Sequence, residues 1–202
     1  MTGTAPNITV TPIDSNNLAD RIRLCWGHLK DWEQLPIVKK SREWLEIANT
    51  LFSPTTFIAY VDETPAGMME SVSQKLMRDV GLCPCRANPE TSEVEKRYVL
   101  GKDFATWLFI SCLWVGKDYQ GRGVGKALLN RFLGSAAFKS ADGALVYVTE
   151  RDPSWDTYIH WPAGPREFYL RAGFSLLEEL GAPAGYVLYR ANAGAQPATA
   201  PS

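Results

Sequence analysis

The chain has 202 residues, 46% hydrophobic and 21% charged, which places it among ordinary globular proteins and away from disordered or fibrous ones. That length suits one hydrophobic core. A formal net charge of -1 offers no general basic field for counterion release, so no nucleic-acid partner is expected.

The first ten residues, MTGTAPNITV, carry neither a basic flank nor a signal-length apolar run, and no segment reaches the roughly 18 apolar residues of a membrane span. A cytoplasmic protein without membrane association is the expectation. Ile8, Val10 and Pro12 open a short alternating strand. Asp14 or Ser15 then caps a helix whose Leu18, Ile22, Trp26 and Leu29 recur at helical spacing. Ser41 precedes a second helix with an apolar stripe of Trp44, Leu45, Ile47, Ala48 and Leu51. Residues 56–61 and 67–72 read as a hairpin around the turn cluster 62–65.

Residues 73–105 are less periodic and more polar than their flanks. They read as an insertion between the third and fourth strands, because so long a connection inside a compact domain usually is one. Residues 106–115 (TWLFISCLWV) are almost continuously apolar, the pattern of a central strand covered on both faces. A glycine-rich turn follows, then a helix with Val124, Ala127, Leu128 and Phe132 on one side, then a buried strand over 144–149. Pro165 fits the first turn of a short helix ending at Gly173, and 174–177 and 186–189 supply two last strands. From Ala191 onward no bulky hydrophobe remains, which predicts a loose tail over 191–202 after one domain spanning 1–190.

The chemistry concentrates in VGKDYQGRGVGK, residues 115–126. Glycines 121, 123 and 125 let backbone N–H groups approach a ligand closely, and the following helix start adds about half a positive charge. An anionic phosphate is the natural guest. A nucleotide-triphosphatase loop fails, because Gly125-Lys126 is followed by Ala127, with no hydroxyl for magnesium, and Gln120 stands where the first glycine should be. The dinucleotide fingerprint fails too, because the spacing is G-x-G-x-G and two helices and a hairpin precede it.

Gln120-Gly121-Arg122-Gly123-Val124-Gly125 resembles the pyrophosphate-binding motif of the GNAT superfamily of N-acetyltransferases, and Tyr169-Leu170-Arg171-Ala172-Gly173-Phe174 resembles that family's late Tyr-x-x-x-Gly-Phe segment. The order of elements over about 7–190 is similar as well. The resemblance implies an α+β fold: a mixed sheet of about six to seven strands, flanked by about four helices and splayed between its two central parallel strands. It implies acetyl-CoA as co-substrate, with no metal. The pantetheine arm would lie along Leu113, Trp114 and Val115, and the pyrophosphate would sit on the amides of Gln120, Gly121, Arg122, Gly123, Val124, Gly125 and Lys126. The Arg122 and Lys126 side chains either bond phosphate or are solvated cations at a helix start.

By the same resemblance Tyr169 protonates the departing CoA thiolate, and Glu150, ending the strand after the motif helix, deprotonates the incoming amine, with Glu70 and Asp118 as rivals. Trp155, Tyr158, His160 and Trp161 either wall an acceptor pocket or pack a loop. Cys83 and Cys85 are either loop thiols or a redox or metal pair. The implied activity is acetyl transfer to a primary amine of a small molecule or peptide, by a monomer or homodimer. A catalytically silent acyl-CoA-binding sensor or scaffold is the alternative.

Overall fold

The computed structural model describes residues 7–51, 56–81, 83, 94, 96–149, 165–180 and 185–195. Its strands are β1 (Ile8–Pro12), β2 (Thr56–Val61), β3 (Thr64–Ser73), β4 (Trp107–Val115), β5 (Gly143–Thr149), β6 (Ser175–Leu180) and β7 (Gly185–Ala191). They form one seven-stranded sheet in the order β1-β2-β3-β4-β5-β7-β6. Every neighbouring pair is antiparallel except β4 and β5, which are parallel. The apolar run containing β4 therefore does lie at the centre, fourth of the seven.

Helices α1 (Leu18–Trp26), α2 (Pro36–Leu51) and α3 (Gln74–Asp79) cover one face. Ile22, Trp44, Leu45 and Leu76 pack there against Val72, Phe109, Leu145 and Val187. The other face carries α4 (Val124–Leu133), α5 (Ala136–Ser140) and α6 (Arg166–Arg171). Leu128, Phe132, Phe138 and Tyr169 pack there with Met69, Ile110, Val146 and Leu188. Adjacent strand residues such as Phe109 and Ile110 thus enter opposite cores. The two-residue alternation of a strand with both faces covered produces the continuous apolar runs in the sequence.

The boundaries of the first two helices differ from the sequence expectation. Asn17, not Asp14 or Ser15, is the residue flanking α1: its carbonyl accepts from Arg21 N–H, and its side chain accepts from Asp14 N–H and donates to Thr11 Oγ1 and the Pro12 carbonyl. Asp14 instead accepts from the N–H groups of Asn16 and Asn17 in the approach turn. The helix ends at Trp26, so Leu29 lies beyond it and is exposed. α2 begins at Pro36, ahead of Ser41, which is buried within it, while Ile47 of the expected stripe is exposed. Proline at a helix start loses no intrahelical bond, which explains the earlier beginning.

Residues 73–105 join β3 to β4, and their described part contributes α3, Tyr98, Val99 and Phe104 to the core under α1 and α2. Ser73 caps α3 by accepting from Leu76 N–H. At the other end β7 includes Ala191, and Asn192 donates from its backbone to Asp142 O and from Nδ2 to Phe138 O and Ala141 O. The expected tail is therefore tied at its first two residues.

Candidate active site

β4 loses its parallel partner halfway along. Pairing with β5 runs from Trp107 with Gly143 to Ile110 with Val146 and stops there, while β4 continues to Val115. On its other side Glu70 of β3 is opposite Cys112, and Ser71 is opposite Ile110. Ser111 is thus an extra residue, a bulge in β4 one position past the end of the β5 ladder. A bulge bends its strand and raises the local twist, and this one coincides with the point where the β5 ladder ends. Beyond it Leu113, Trp114 and Val115 lie beside Met69, Met68 and Gly67 of β3. The Val115 side chain is buried in the core beneath α4, and Leu113 packs against that core.

The glycine loop starts where β4 ends. A short 3-10 turn, Lys117–Tyr119, leads to extended Gln120, whose Nε2 donates back to the Val115 carbonyl at 3.2 Å. The Gln120 side chain thus braces the loop. Gly121 and Gly123 adopt φ of 71° and 89°, values that glycine reaches at little steric cost. A methyl group at Gly121 would meet no atom within 4 Å, so the surface over that residue is open. Gly123 flanks α4 with no side chain to cap it, and its carbonyl accepts from Ala127 N–H at 2.9 Å. The N–H groups at the start of a helix have no intrahelical acceptors, and the helix dipole makes that end electropositive. Arg122 and Lys126 are exposed, with the Arg122 guanidinium 5.8 Å from the Tyr119 ring centre. Across the loop, Gly67 admits α4 to the sheet, since a methyl group there would lie 2.7 Å from the Trp114 carbonyl and 3.2 Å from Val124.

Tyr169, on α6, is fully buried. Phe168 and Phe174 meet its ring edge-on, with centroids at 5.0 Å and 5.2 Å. Burial, and secondarily the Cys112 thiol, raise its phenol well above the ordinary value, so it keeps its proton at neutral pH. The influence of Cys112 links Tyr169 to the bulged segment of β4.

Among the carboxylates, Glu150 lies outside the described residues, as do Trp155, Tyr158, His160, Trp161 and Cys85. Asp118 is exposed on the 3-10 turn. Glu70 is buried, with Oε2 accepting from Arg21 Nη2 at 2.8 Å and Oε1 from Ser111 Oγ at 3.0 Å. Arg21 also donates to Cys25 Sγ. This buried polar group of Arg21, Glu70 and Ser111 escaped the sequence reading. Its signal was a glutamate inside the otherwise uncharged strand GMMESV. Cys83 is buried and not in a disulfide. Among the described residues, no group of three His, Cys, Asp or Glu is arranged to hold a metal ion, and no helix is long and apolar enough to cross a membrane.

No curated protein sequence matches the chain. Solved structures do share its fold. An acetyltransferase from Thermus thermophilus is 17% identical, with a TM-score of 0.53 over 93% of this chain and 99% of that one. PaiA N-acetyltransferase from Thermoplasma acidophilum, solved with coenzyme A, is 12% identical, with a TM-score of 0.53 over 92% and 99%. Arabidopsis thaliana Naa50, solved with the bisubstrate analogue CoA-Ac-MVNAL, is 14% identical, with a TM-score of 0.52 over 92% and 99%. Residues 22–174, which run from α1 through the bulged strand and glycine loop to Phe174, match the model of the Acetyltransferase (GNAT) family, and the chain belongs to that family of acyltransferases.

Proposed function

We propose that the protein is an acetyl-CoA-dependent N-acetyltransferase that moves an acetyl group to a primary amine of a small molecule or peptide by direct attack in a ternary complex. One observation carries this reading: the loop of Gly121 and Gly123 and the uncapped start of α4 stand directly after the strand that parts from β5. The open surface at Gly121 and the electropositive helix end suit a pyrophosphate. Family membership supports the same donor, and PaiA and Naa50 were solved with coenzyme A and a CoA-containing analogue.

In this reading the amides of residues 121–126 hold the pyrophosphate, while Leu113, Trp114 and Val115 offer their strand edge to the pantetheine arm. Acetyl-CoA supplies a thioester carbon open to attack and a thiolate leaving group. Tyr169 delivers the proton that the departing sulfur takes up, and Glu150, directly or through water, removes the one the amine gives up. An N–H near Trp114 or Val115 stabilises the oxyanion, an effect worth about 3 kcal/mol in related chemistry. A peptide acceptor is supported by Naa50, whose bisubstrate analogue joins CoA to a peptide. A cytoplasmic monomer or homodimer completes the proposal.

Isothermal titration with acetyl-CoA, CoA and ATP tests the donor. Binding of both CoA compounds but not ATP, followed by amine-dependent thiol release, is the expected result. A folded sample that binds neither CoA compound refutes the reading, and one that binds them yet turns over no amine is a binding module.

A further inference from the structure

The bulge in β4 is held from the side of the sheet opposite the glycine loop. Ser111, the residue without a ladder position on β3, donates to Glu70 Oε1 at 3.0 Å, and Glu70 is fixed in turn by Arg21 of α1 at 2.8 Å. All three side chains are about 1% exposed. Glu70 lies opposite Cys112, immediately after the bulge, and Ile110, immediately before it, is the last β4 residue paired with β5.

A buried ion pair of this kind is weak evidence for stability, since apolar residues of similar volume often serve as well or better, and its better-attested use is to specify one arrangement among alternatives. Two arrangements of β4 compete here. A regular β4 would carry its ladder to β5 past Ile110 and close the gap, whereas the bulge keeps the strands apart. A carboxylate that binds the bulged serine and is itself locked by an arginine favours the second.

We propose that Arg21, Glu70 and Ser111 form a positioning device that fixes the β4 bulge and so keeps the strand edge from Cys112 to Val115 open for the acyl-CoA thioester. This rests on the proposed donor. It assigns Glu70, a rival candidate for the base, to geometry instead: both carboxylate oxygens are engaged, one by a guanidinium. It also ties α1, on the opposite face, to the donor cleft.

The test compares full-length wild type with Ser111→Ala and Glu70→Gln, using Ser41→Ala as the control for an equally buried hydroxyl on α2. Three readouts are needed: CoA affinity by calorimetry, hydrogen exchange of the 112–115 amides without ligand, and the pH profile of kcat. Both site variants should weaken CoA binding about tenfold or more and slow exchange within 112–115, as the ladder to β5 extends past Ile110 and pairs amides that the bulge leaves open. They should leave the shape of the kcat profile intact, and Ser41→Ala should change none of these. Wild-type affinity and exchange in folded Ser111→Ala overturn the proposal. So does Glu70→Gln with unchanged CoA affinity but a lost acidic limb in kcat, which would make Glu70 the base. If Glu70→Gln fails to fold, Ser111→Ala decides alone. If wild type binds no CoA, the proposed function fails, while exchange in the unliganded protein still decides whether the network holds the bulge.

Discussion

The N–H of Phe174 donates to the carbonyl of Tyr169 at 3.0 Å, and the two rings meet edge-on with centroids 5.2 Å apart. Gly173, at φ 84°, donates to the Leu170 carbonyl, which completes the Schellman arrangement with its apolar contact. A six-residue helix is too short to be stable by itself, so this closure and the aromatic packing hold Tyr169 in place. Removing only the phenol oxygen spares all of it. Tyr169→Phe should therefore fold and bind CoA as wild type does, while kcat falls by about 10²- to 10⁴-fold, measured as thiol release at saturating substrates. Undiminished kcat would remove Tyr169 from the acid role.

Two tyrosines should make the fold sensitive to alkali. Tyr169 is raised by burial and secondarily by Cys112. Tyr60 is raised well above the ordinary phenol by burial, then by its bond to Asp20 at 2.8 Å and by nearby acidic charge. In each case the folded state holds the proton more tightly than the unfolded chain, whose phenols titrate near 10. The associated stability is complete below about pH 10 and is lost as pH climbs from there toward the folded values. Urea midpoints should fall steeply above about pH 10, and less steeply in Tyr60→Phe and Tyr169→Phe. An equal slope in all three proteins would contradict this.

The parts of the fold that were legible in the sequence were those with a local cause. The glycine pattern of 121–125, the alternation of β1, the turn before β3 and the Gly173 cap each declare themselves within a few residues. The start of α2 did not, because Ser41 looks like a cap while the helix gains its stability from Val38, Trp44 and Leu45 packing under the sheet. The strand bulge at Ser111 was hidden for a similar reason. It depends on partners far along the chain, Arg21 and Glu70, and a serine inside TWLFISCLWV carries no signal of a change in register.

The open surface at Gly121 makes a sharper test of the loop than charge removal would. Gly121→Ala and Gly194→Ala place alanine at φ 71° and 88°, each with no atom within 4 Å of the new methyl group. Both should lose about 1–2 kcal/mol of backbone preference, measured by denaturation. Only Gly121→Ala should also weaken CoA binding, by about tenfold or more, because its methyl group enters the space a pyrophosphate must approach. Equal CoA affinity in the two variants would move the phosphate site elsewhere.

The β2–β3 turn offers a gain in stability without touching the site. Asp62 and Glu63 both have positive φ, 48° and 68°, the requirement of a type I′ hairpin turn. Asp62 tolerates this conformation, and its Oδ1 accepts from Asn7 N–H at 3.4 Å. Glu63 has no such use for it and carries a left-handed penalty of about 1–2 kcal/mol. Glycine removes that penalty but loses about 0.5–1 kcal/mol more to unfolded-chain entropy. Glu63→Gly should therefore stabilise by about 0.5–1 kcal/mol, seen as a higher urea midpoint at an unchanged slope. Glu63→Val should do the reverse, because a β-branched residue fits positive φ worst. If Glu63→Gly is destabilised, the turn gains more from the glutamate side chain than its backbone loses.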